Sequence, residues 1–258
     1  MGYKFEAQKV REDIVGWIRN IQKQSGLRGV VIGISGGKDS TIAAALCAEA
    51  IGAENVIGVM MPNGEQKDLN DARKVVETLG IKAMTINIGY AYREVLSWTN
   101  VALSPNHSGV TPEAAINIAP RIRMTTLYAI AQSMGGGYRV CGTGNLSERT
   151  LGYFTKWGDG AYDFNPLANL TSLEVVAIGD TYNHIPYELV HKIPDDGLSG
   201  MSDEEKLGVT YKYVHDYLRT ACTNKEAEEK IRRMEFAGRH KAITGIPMYH
   251  VPLQFLYE

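Results

Sequence analysis

The sequence predicts an α/β protein with a doubly wound, mostly parallel sheet that carries helices on both faces. Two observations lead to this fold class. Short apolar runs rich in β-branched residues, such as residues 29–34, alternate with helical segments, as in βαβ units. The first run ends abruptly in SGGKDS, residues 35–40, before an alanine-rich helical stretch. Because ligands of such sheets bind at the carboxyl ends of the strands, this loop is the first candidate site.

The first half of the chain reads as alternating helices and strands. Phe5, Val10, Ile14 and Ile18 recur at helical spacing, which predicts an amphipathic helix that ends near Gly26. Strands are predicted at 29–34, 55–61, 81–88 and 138–141, and helices at 41–50, 67–79, 89–103 and 117–134. Pro120 is tolerated only in a first helical turn, so the last of these helices is placed with its start near Asn117.

After residue 150 the periodicity weakens. Residues 152–163, GYFTKWGDGAYD, are dense in glycine, aromatic and charged residues. Helices are predicted at about 171–181, 208–220 and 224–237, and a flexible loop at 194–202. Ser202 and Glu205 form the pattern of a capping box, which predicts a further helix start. No repeat and no domain boundary is visible, so we expect a single domain over residues 1–258.

The composition excludes several classes of protein. Hydrophobic residues make up 44% and charged residues 22% of the 258, as in ordinary globular domains. A net charge of −2 gives no basic field for nucleic acid. Three scattered cysteines argue against a disulfide framework or a zinc knuckle. With a polar start and no long apolar run, we expect a cytoplasmic protein that binds neither membrane nor nucleic acid.

The SGGKDS loop has the chemistry of a phosphate site with a metal beside it. Gly36 and Gly37 let the backbone approach phosphate oxygens, and Ser35 and Ser40 add hydroxyl donors. Asp39 would repel phosphate unless a cation lies between them, so we interpret it as a magnesium ligand. The alternative is a tight turn in which Asp39 merely caps the helix. The spacing does not match a Walker A loop, since residue 32 is isoleucine.

The pattern SGGxDS resembles the pyrophosphate loop of the N-type ATP pyrophosphatases. These enzymes resemble one another in splitting ATP between the α and β phosphates, forming an adenylate, and letting a nitrogen or sulfur nucleophile displace AMP. The resemblance implies an adenine nucleotide alpha hydrolase-like fold. The loop alone does not select a member of the group.

Glu148 follows the fourth predicted strand, where it can approach the same cation as Asp39. Taken alone, it is as easily a solvated helix residue. However, residues 142–163, GTGNLSERTLGYFTKWGDGAYD, closely resemble the deamido-NAD-binding segment of NAD synthetases. The helix start NIAPRIRM and the basic residues 239–241 resemble two further elements of that family. We therefore expect an ammonia-dependent member of the NAD synthetases.

The resemblance implies a role for each matching residue. Asp39 and Glu148 would be the catalytic pair that holds magnesium. The residues that would bind ATP are Gly33, Ile34, Ser35, Gly36, Gly37, Lys38, Asp39, Ser40 and Thr143. The residues that would bind deamido-NAD are Arg121, Lys156, Asp163, His240 and Lys241. Cationic side chains suit the two phosphates and the carboxylate of that substrate, although Lys156 alone could be a surface lysine and His240 a structural histidine.

The implied reaction is the ATP-dependent amidation of deamido-NAD. The nicotinate carboxylate attacks the α-phosphorus of ATP and expels pyrophosphate, and ammonia then displaces AMP to give NAD. The protein contributes positioning and electrostatic stabilisation. Two alternatives stay open: another ATP pyrophosphatase ligase with a different substrate, and a non-catalytic nucleotide-binding protein on the same fold.

Two positions depart from the family pattern. Ser172 stands where the family usually has a lysine, and Asp195 stands where it has a hydroxyl. Both changes make a triphosphate pocket less positive. We hypothesise that residues 194–206 form a mobile lid in which Lys192 or Lys206 partly compensates. The alternative is a shifted loop register in which Ser199 or Ser202 takes the place of the hydroxyl and Asp195 points to water.

The resemblance also implies a homodimer. In this family the dinucleotide substrate lies near the subunit boundary. The amphipathic segments 4–25 and 112–134 are the candidates for a contact between two copies.

Overall fold

A parallel sheet forms the centre of the computed structural model, which describes residues 3–64, 69–105, 108–193 and 202–241. Within these ranges the sheet has four strands in the order β3-β2-β1-β4. The strands are β1 (Gly29–Gly33), β2 (Val56–Met60), β3 (Lys82–Thr85) and β4 (Tyr138–Cys141). The predicted parallel sheet is confirmed, and β1, which precedes the SGGKDS loop, lies between β2 and β4.

Helices connect the strands and continue after the last one. They are α1 (Ala7–Ser25), α2 (Lys38–Ile51), α3 (Leu69–Leu79), α4 (Gly89–Leu103), α5 (Pro112–Ile116), α6 (Ile118–Ser133), α7 (Leu146–Leu151), α8 (Ser172–Gly179), α9 (Tyr187–Val190), α10 (Asp203–Leu207), α11 (Tyr211–Arg219) and α12 (Lys225–Gly238). Asn117 precedes α6 and Pro120 lies in its first turn, as predicted. The capping box of Ser202 and Glu205 at the start of α10 is also confirmed.

Successive residues of β1 face opposite layers, which is why the run is apolar throughout. Val30 and Ile32 are fully buried in a core shared with α1, α2, α3 and α8. Val31 points to the other face, where it packs with residues of α4 and α6. A strand buried on both sides needs no alternation of polar and apolar residues. The predicted placement of helices on both faces of the sheet is confirmed.

The third strand is shorter than predicted. It covers Lys82–Thr85 instead of residues 81–88, and most of it is exposed because β3 is an edge strand. The chain still follows β2 beyond its end, since the backbone N–H of Ile86 donates to the carbonyl of Met60 at 2.9 Å. The N–H of Ile88 also donates to the carbonyl of Pro62 at 2.9 Å, but Pro62 has no N–H to donate in return, so the regular ladder is broken at this point.

A third apolar cluster lies among the later helices. Leu151 of α7 packs with Leu207, Val214 and Ile231 of α10, α11 and α12. This cluster holds the start of α11 close to α7, and so close to the carboxyl edge of the sheet. Over the described ranges, the structure contains no helix whose length and apolar character would let it cross a bilayer.

Candidate active site

The loop between β1 and α2 is folded by hydrogen bonds of its own. The Oγ atoms of Ser35 and Ser40 are 3.1 Å apart, and the N–H of Gly37 donates to Oγ of Ser35 at 3.2 Å. Gly36 has a φ of 84°, and a Cβ built there would lie 2.7 Å from the backbone nitrogen of Ala72 in α3. Only glycine fits this position.

The N-terminus of α2 has no side-chain cap. Gly37 occupies the cap position and cannot supply one. Other helices receive caps from Thr111, Asn145, Thr171, Ser202, Thr210 and Asn224. The positive end of α2 and its first-turn amides therefore face the loop, as a site for phosphate requires.

The two predicted catalytic carboxylates, Asp39 and Glu148, are brought together by Asn145. The side-chain Nδ2 of Asn145 donates to Oδ1 of Asp39 at 3.0 Å. Its backbone N–H donates to Oε2 of Glu148 at 2.9 Å, and its Oδ1 accepts from the N–H of Glu148 at 3.1 Å. The sequence analysis did not single out Asn145, although its spacing to Glu148 is that of a capping box.

Lys38 balances the charge of this pair. Its buried ammonium donates to Oδ2 of Asp39 at 2.5 Å. Burial alone would lower the pKa of Lys38, but the charges of Asp39 and Glu148 outweigh burial and raise it. Burial, with the charge of Asp39, raises the pKa of Glu148 to about 8. A second ionised carboxylate is therefore disfavoured here until a further cation joins the site.

The donor set fits magnesium that is bound together with a phosphate ligand. Magnesium is usually held by one or two carboxylates, while substrate phosphates and water complete its octahedron. Asp39 and Glu148 beside the uncapped end of α2 supply that arrangement. No cluster of three or more His, Cys, Asp or Glu in the described part of the chain could hold a metal ion independently of substrate.

Four of the five residues predicted to bind deamido-NAD lie together. Nε of Arg121 donates to the carbonyl of Lys156 at 3.2 Å, and Nζ of Lys156 donates to the carbonyl of His240 at 2.7 Å. Nζ of Lys241 donates to the carbonyl of Gly152 at 2.5 Å. The start of α6, the segment after α7 and the end of α12 thus form one basic surface.

Asp163, the fifth, makes its hydrogen bonds to β4 and α6. One carboxylate oxygen accepts from the N–H of Val140 in β4 at 2.8 Å, and the other accepts from the hydroxyl of Tyr128 at 3.2 Å. Both oxygens thus have protein partners, although the residue is exposed.

Thr143 and Gly33 lie at the same edge of the sheet. Gly33 ends β1, and Thr143 follows shortly after the end of β4. Because β1 and β4 are parallel neighbours, both residues lie on the side of the SGGKDS loop.

Of the two positions that depart from the family pattern, Ser172 is described and Asp195 lies outside the described residues. Ser172 begins α8, is 2% exposed, and its N–H donates to Oγ of Ser147 at 3.1 Å. Nζ of Lys192 donates to Oδ2 of Asp71 at 2.8 Å, on the part of α3 that touches Gly36. Lys192 therefore lies beside the loop. The predicted lid falls largely in residues 194–201, outside the described ranges.

The fold and the site together define an α/β nucleotide-binding enzyme of the ATP pyrophosphatase class. The model of the NAD synthase family matches residues 10–245, and the chain belongs to that family.

Relatives match the chain over most of its length. An NH(3)-dependent NAD(+) synthetase from Carboxydothermus hydrogenoformans is 37% identical over 242 residues, covering 92% of this chain and 96% of the relative. The corresponding protein of Pyrococcus furiosus is 40% identical over 221 residues, covering 85% and 82%.

Solved structures show the same fold. An NMN synthetase from Francisella tularensis has a TM-score of 0.83 and 32% identity, covering 96% of this chain and 99% of that one. An NH3-dependent NAD synthetase from Campylobacter jejuni has a TM-score of 0.75 and 28% identity, covering 96% and 100%.

Proposed function

We propose that this chain is a carbon–nitrogen ligase that amidates deamido-NAD with ammonia, consuming ATP and releasing AMP, pyrophosphate and NAD. The observation that carries this proposal is the junction of Asp39, Asn145 and Glu148 at the uncapped start of α2. That junction can receive the phosphates of ATP together with a divalent cation. The ammonia-dependent relatives at 37% and 40% identity support the reaction.

Each part of the site has a task in this reaction. The amides at the start of α2 and the ammonium of Lys38 hold the phosphates of ATP. Asp39 and Glu148 would hold magnesium, which offsets charge on the phosphoryl oxygens when it is bound. The basic surface formed by Arg121, Lys156 and Lys241 would hold the anionic dinucleotide. Orientation of the nicotinate carboxylate toward the α-phosphorus then favours attack.

Ammonia, not glutamine, is the proposed nitrogen source. Releasing ammonia from glutamine commonly requires an accessible nucleophile such as a thiolate. Cys47 and Cys141 are buried, and burial raises the pKa of the Cys141 thiol. The thiol of Cys222 donates to the carbonyl of Asn224 at 3.4 Å. These thiols are poorly placed to act on glutamine.

A second candidate substrate is nicotinate mononucleotide, which carries the same reacting carboxylate. The likeness to an NMN synthetase at a TM-score of 0.83 favours testing it. The two substrates differ by the adenylate half of the dinucleotide. A chain that needs the adenylate half should have a much lower kcat/KM for the mononucleotide than for the dinucleotide. The mononucleotide loses hydrogen bonds between phosphate and basic side chains, and such bonds are strong.

The test is product formation by the purified protein with ATP, magnesium and ammonium. We expect NAD from deamido-NAD, and a much lower kcat/KM for nicotinate mononucleotide. Glutamine in place of ammonium should give no product. A higher kcat/KM for the mononucleotide would assign the second function, and absence of product from both substrates would refute both.

We also propose a homodimer, with α4 as part of the contact. The apolar face of α1 is used inside the chain, since Val15 and Ile18 are buried in the core. On α4, by contrast, Tyr90, Trp98 and Val101 are 77%, 68% and 57% exposed. An apolar group of this kind on one helix is suited to an isologous contact.

A cytoplasmic location is proposed from the thiols. The Sγ atoms of Cys47 and Cys141 are 3.8 Å apart and both remain free. A close pair of free thiols fits a reducing compartment.

A further inference from the structure

Tyr211, the first residue of α11, is buried beside the carboxylate pair. Only 4% of its surface is exposed, and its hydroxyl has no hydrogen-bond partner among the described residues. The ammonium of Lys38 lies 5.7 Å from the centroid of its ring. A buried polar group without a hydrogen-bond partner is costly and uncommon in native proteins. We therefore expect a ligand to supply the partner of this hydroxyl.

The position of Tyr211 is held on two sides. Its backbone N–H donates to Oε1 of Glu204 at 2.7 Å, and the side chain of Thr210 caps the helix that it begins. The flanking residues Val209 and Val214 are buried in the apolar cluster of the later helices. These contacts fix the backbone from which the phenol projects.

The surroundings of the hydroxyl are mainly acidic. Burial, followed by the negative charges of Glu148, Asp203 and Asp39, raises the pKa of Tyr211 well above its ordinary value. The hydroxyl is thus a neutral group that can donate a proton in a hydrogen bond. Asp203 already accepts from the hydroxyl of Tyr153 at 3.1 Å.

The uncapped start of α2 lies on the same side. Lys38 is the first residue of α2; its ammonium pairs with Asp39 and lies over the face of the Tyr211 ring. A ligand that meets this helix end and its lysine is an anion. The Tyr211 phenol thus lies beside the lysine that such an anion would contact.

We propose that the hydroxyl of Tyr211 is a positioning group that donates a hydrogen bond to a phosphate oxygen of bound ATP. The inference rests on the proposed function, because it requires ATP at the start of α2. It assigns to α11 a direct part in holding the nucleotide.

The test is Tyr211→Phe, measured by calorimetric ATP binding with magnesium and without the second substrate. We expect the Kd for ATP to rise about tenfold, as one hydrogen bond to a charged group is lost. The Tm of the ligand-free variant should stay equal or rise, since a buried hydroxyl without a partner has been removed.

Tyr217→Phe is the matched control on the same helix. The hydroxyl of Tyr217 donates to Oε2 of Glu235 at 3.0 Å, so its loss should lower the Tm and leave the Kd for ATP unchanged. An unchanged Kd in Tyr211→Phe, with normal ATP binding by the wild type, would overturn the inference alone. A defect confined to the KM for deamido-NAD would also overturn it. Failure of the wild type to bind ATP would refute the proposed function and this inference together.

Discussion

Asn145 donates a hydrogen bond of 3.0 Å from its side-chain amide to the carboxylate of Asp39. This contact joins the first turn of α2 to the cap of α7. The backbone N–H of the same residue donates to the carboxylate of Glu148, so one residue, through its side chain and its main chain, holds both carboxylates. The geometry of the proposed magnesium site therefore depends on Asn145, which carries no charge.

Asn145→Ala should affect stability and catalysis together. Loss of the cap should lower the free energy of unfolding by about 0.5–2 kcal/mol. Loss of the hydrogen bond to Asp39 should lower kcat/KM by about tenfold or more. Asn224→Ala is the control, because Asn224 caps α12 in the same way. Chemical denaturation and steady-state kinetics should show a similar stability loss in the control with normal kinetics. Equal kinetics in both variants would contradict the proposed role of Asn145.

Asp39→Asn and Glu148→Gln should each abolish adenylation while the fold remains intact. Each change removes a formal charge that magnesium needs, so the rate of pyrophosphate release should fall by about 100-fold or more. Glu229→Gln, at an exposed position of α12, should keep the normal rate. Circular dichroism checks the fold. Normal turnover of either site variant at saturating magnesium would show that the substituted residue does not hold the metal ion.

The raised pKa of Glu148 predicts a pH dependence of stability without divalent cations. Its pKa is about 8 in the folded chain, against an ordinary value of 4.5. Between these values the folded state keeps a proton that the unfolded state has lost. The free energy of unfolding should therefore fall as pH rises from about 4.5 to about 8.

Glu148→Gln lacks this titration. The difference in Tm between the variant and the wild type should therefore grow in favour of the variant across that pH range. Magnesium added together with ATP should raise the Tm of the wild type more than that of the variant at high pH, because the cation requires the ionised carboxylate. A difference that is constant with pH would contradict the raised pKa.

We expect Lys38 to supply a positive charge to the phosphates of ATP, in place of the lysine that the family usually has at position 172. Lys38→Gln should raise the KM for ATP roughly ten- to a hundredfold, as expected for one charged hydrogen bond. Ser172 contacts Ser147, next to Glu148, so a lysine introduced there has a path to the same site. The double variant Lys38→Gln, Ser172→Lys should regain part of the affinity.

Lys4→Gln is the control for loss of a positive charge, because Lys4 is exposed. It should leave the KM for ATP unchanged. If the double variant binds ATP no better than Lys38→Gln, then position 172 does not face the phosphates.

Trp98→Glu should dissociate the proposed homodimer. Trp98 is 68% exposed in one chain, and a carboxylate at that point would be buried in the contact. Tyr187→Glu changes a similarly exposed aromatic residue on α9 and should leave the association unchanged. Light scattering at micromolar concentration measures the mass. A wild type that is monomeric would rule out the homodimer itself.

The sheet was predictable because its central strand is encoded locally. A strand buried on both faces must be apolar throughout, and the glycine turn that follows residues 29–34 marks its end. The length of β3 was not predictable in the same way. Whether residues 86–88 continue a strand depends on Pro62, which lies in a different part of the chain.

The charged site residues were predictable by resemblance, whereas their neutral partners were not. Asn145 had a local signal, the spacing of a capping box, that the sequence analysis passed over. Tyr211 had no such local signal, because a tyrosine at the start of an amphipathic helix is equally expected as a residue of the hydrophobic core. The role proposed for Tyr211 depends on its position beside Lys38. The two residues are distant in the chain and become neighbours only when α11 packs near α7.

The contact between Gly36 and α3 has a consequence for the size of the anion that the loop accepts. A Cβ at Gly36 would lie 2.7 Å from the backbone nitrogen of Ala72, so the loop has no room for a side chain on that side. It cannot widen without displacing a helix that is packed into the core through Val75 and Val76. The proposed anion site therefore cannot be enlarged on this side by side-chain changes alone, since its wall there is the main chain of α3.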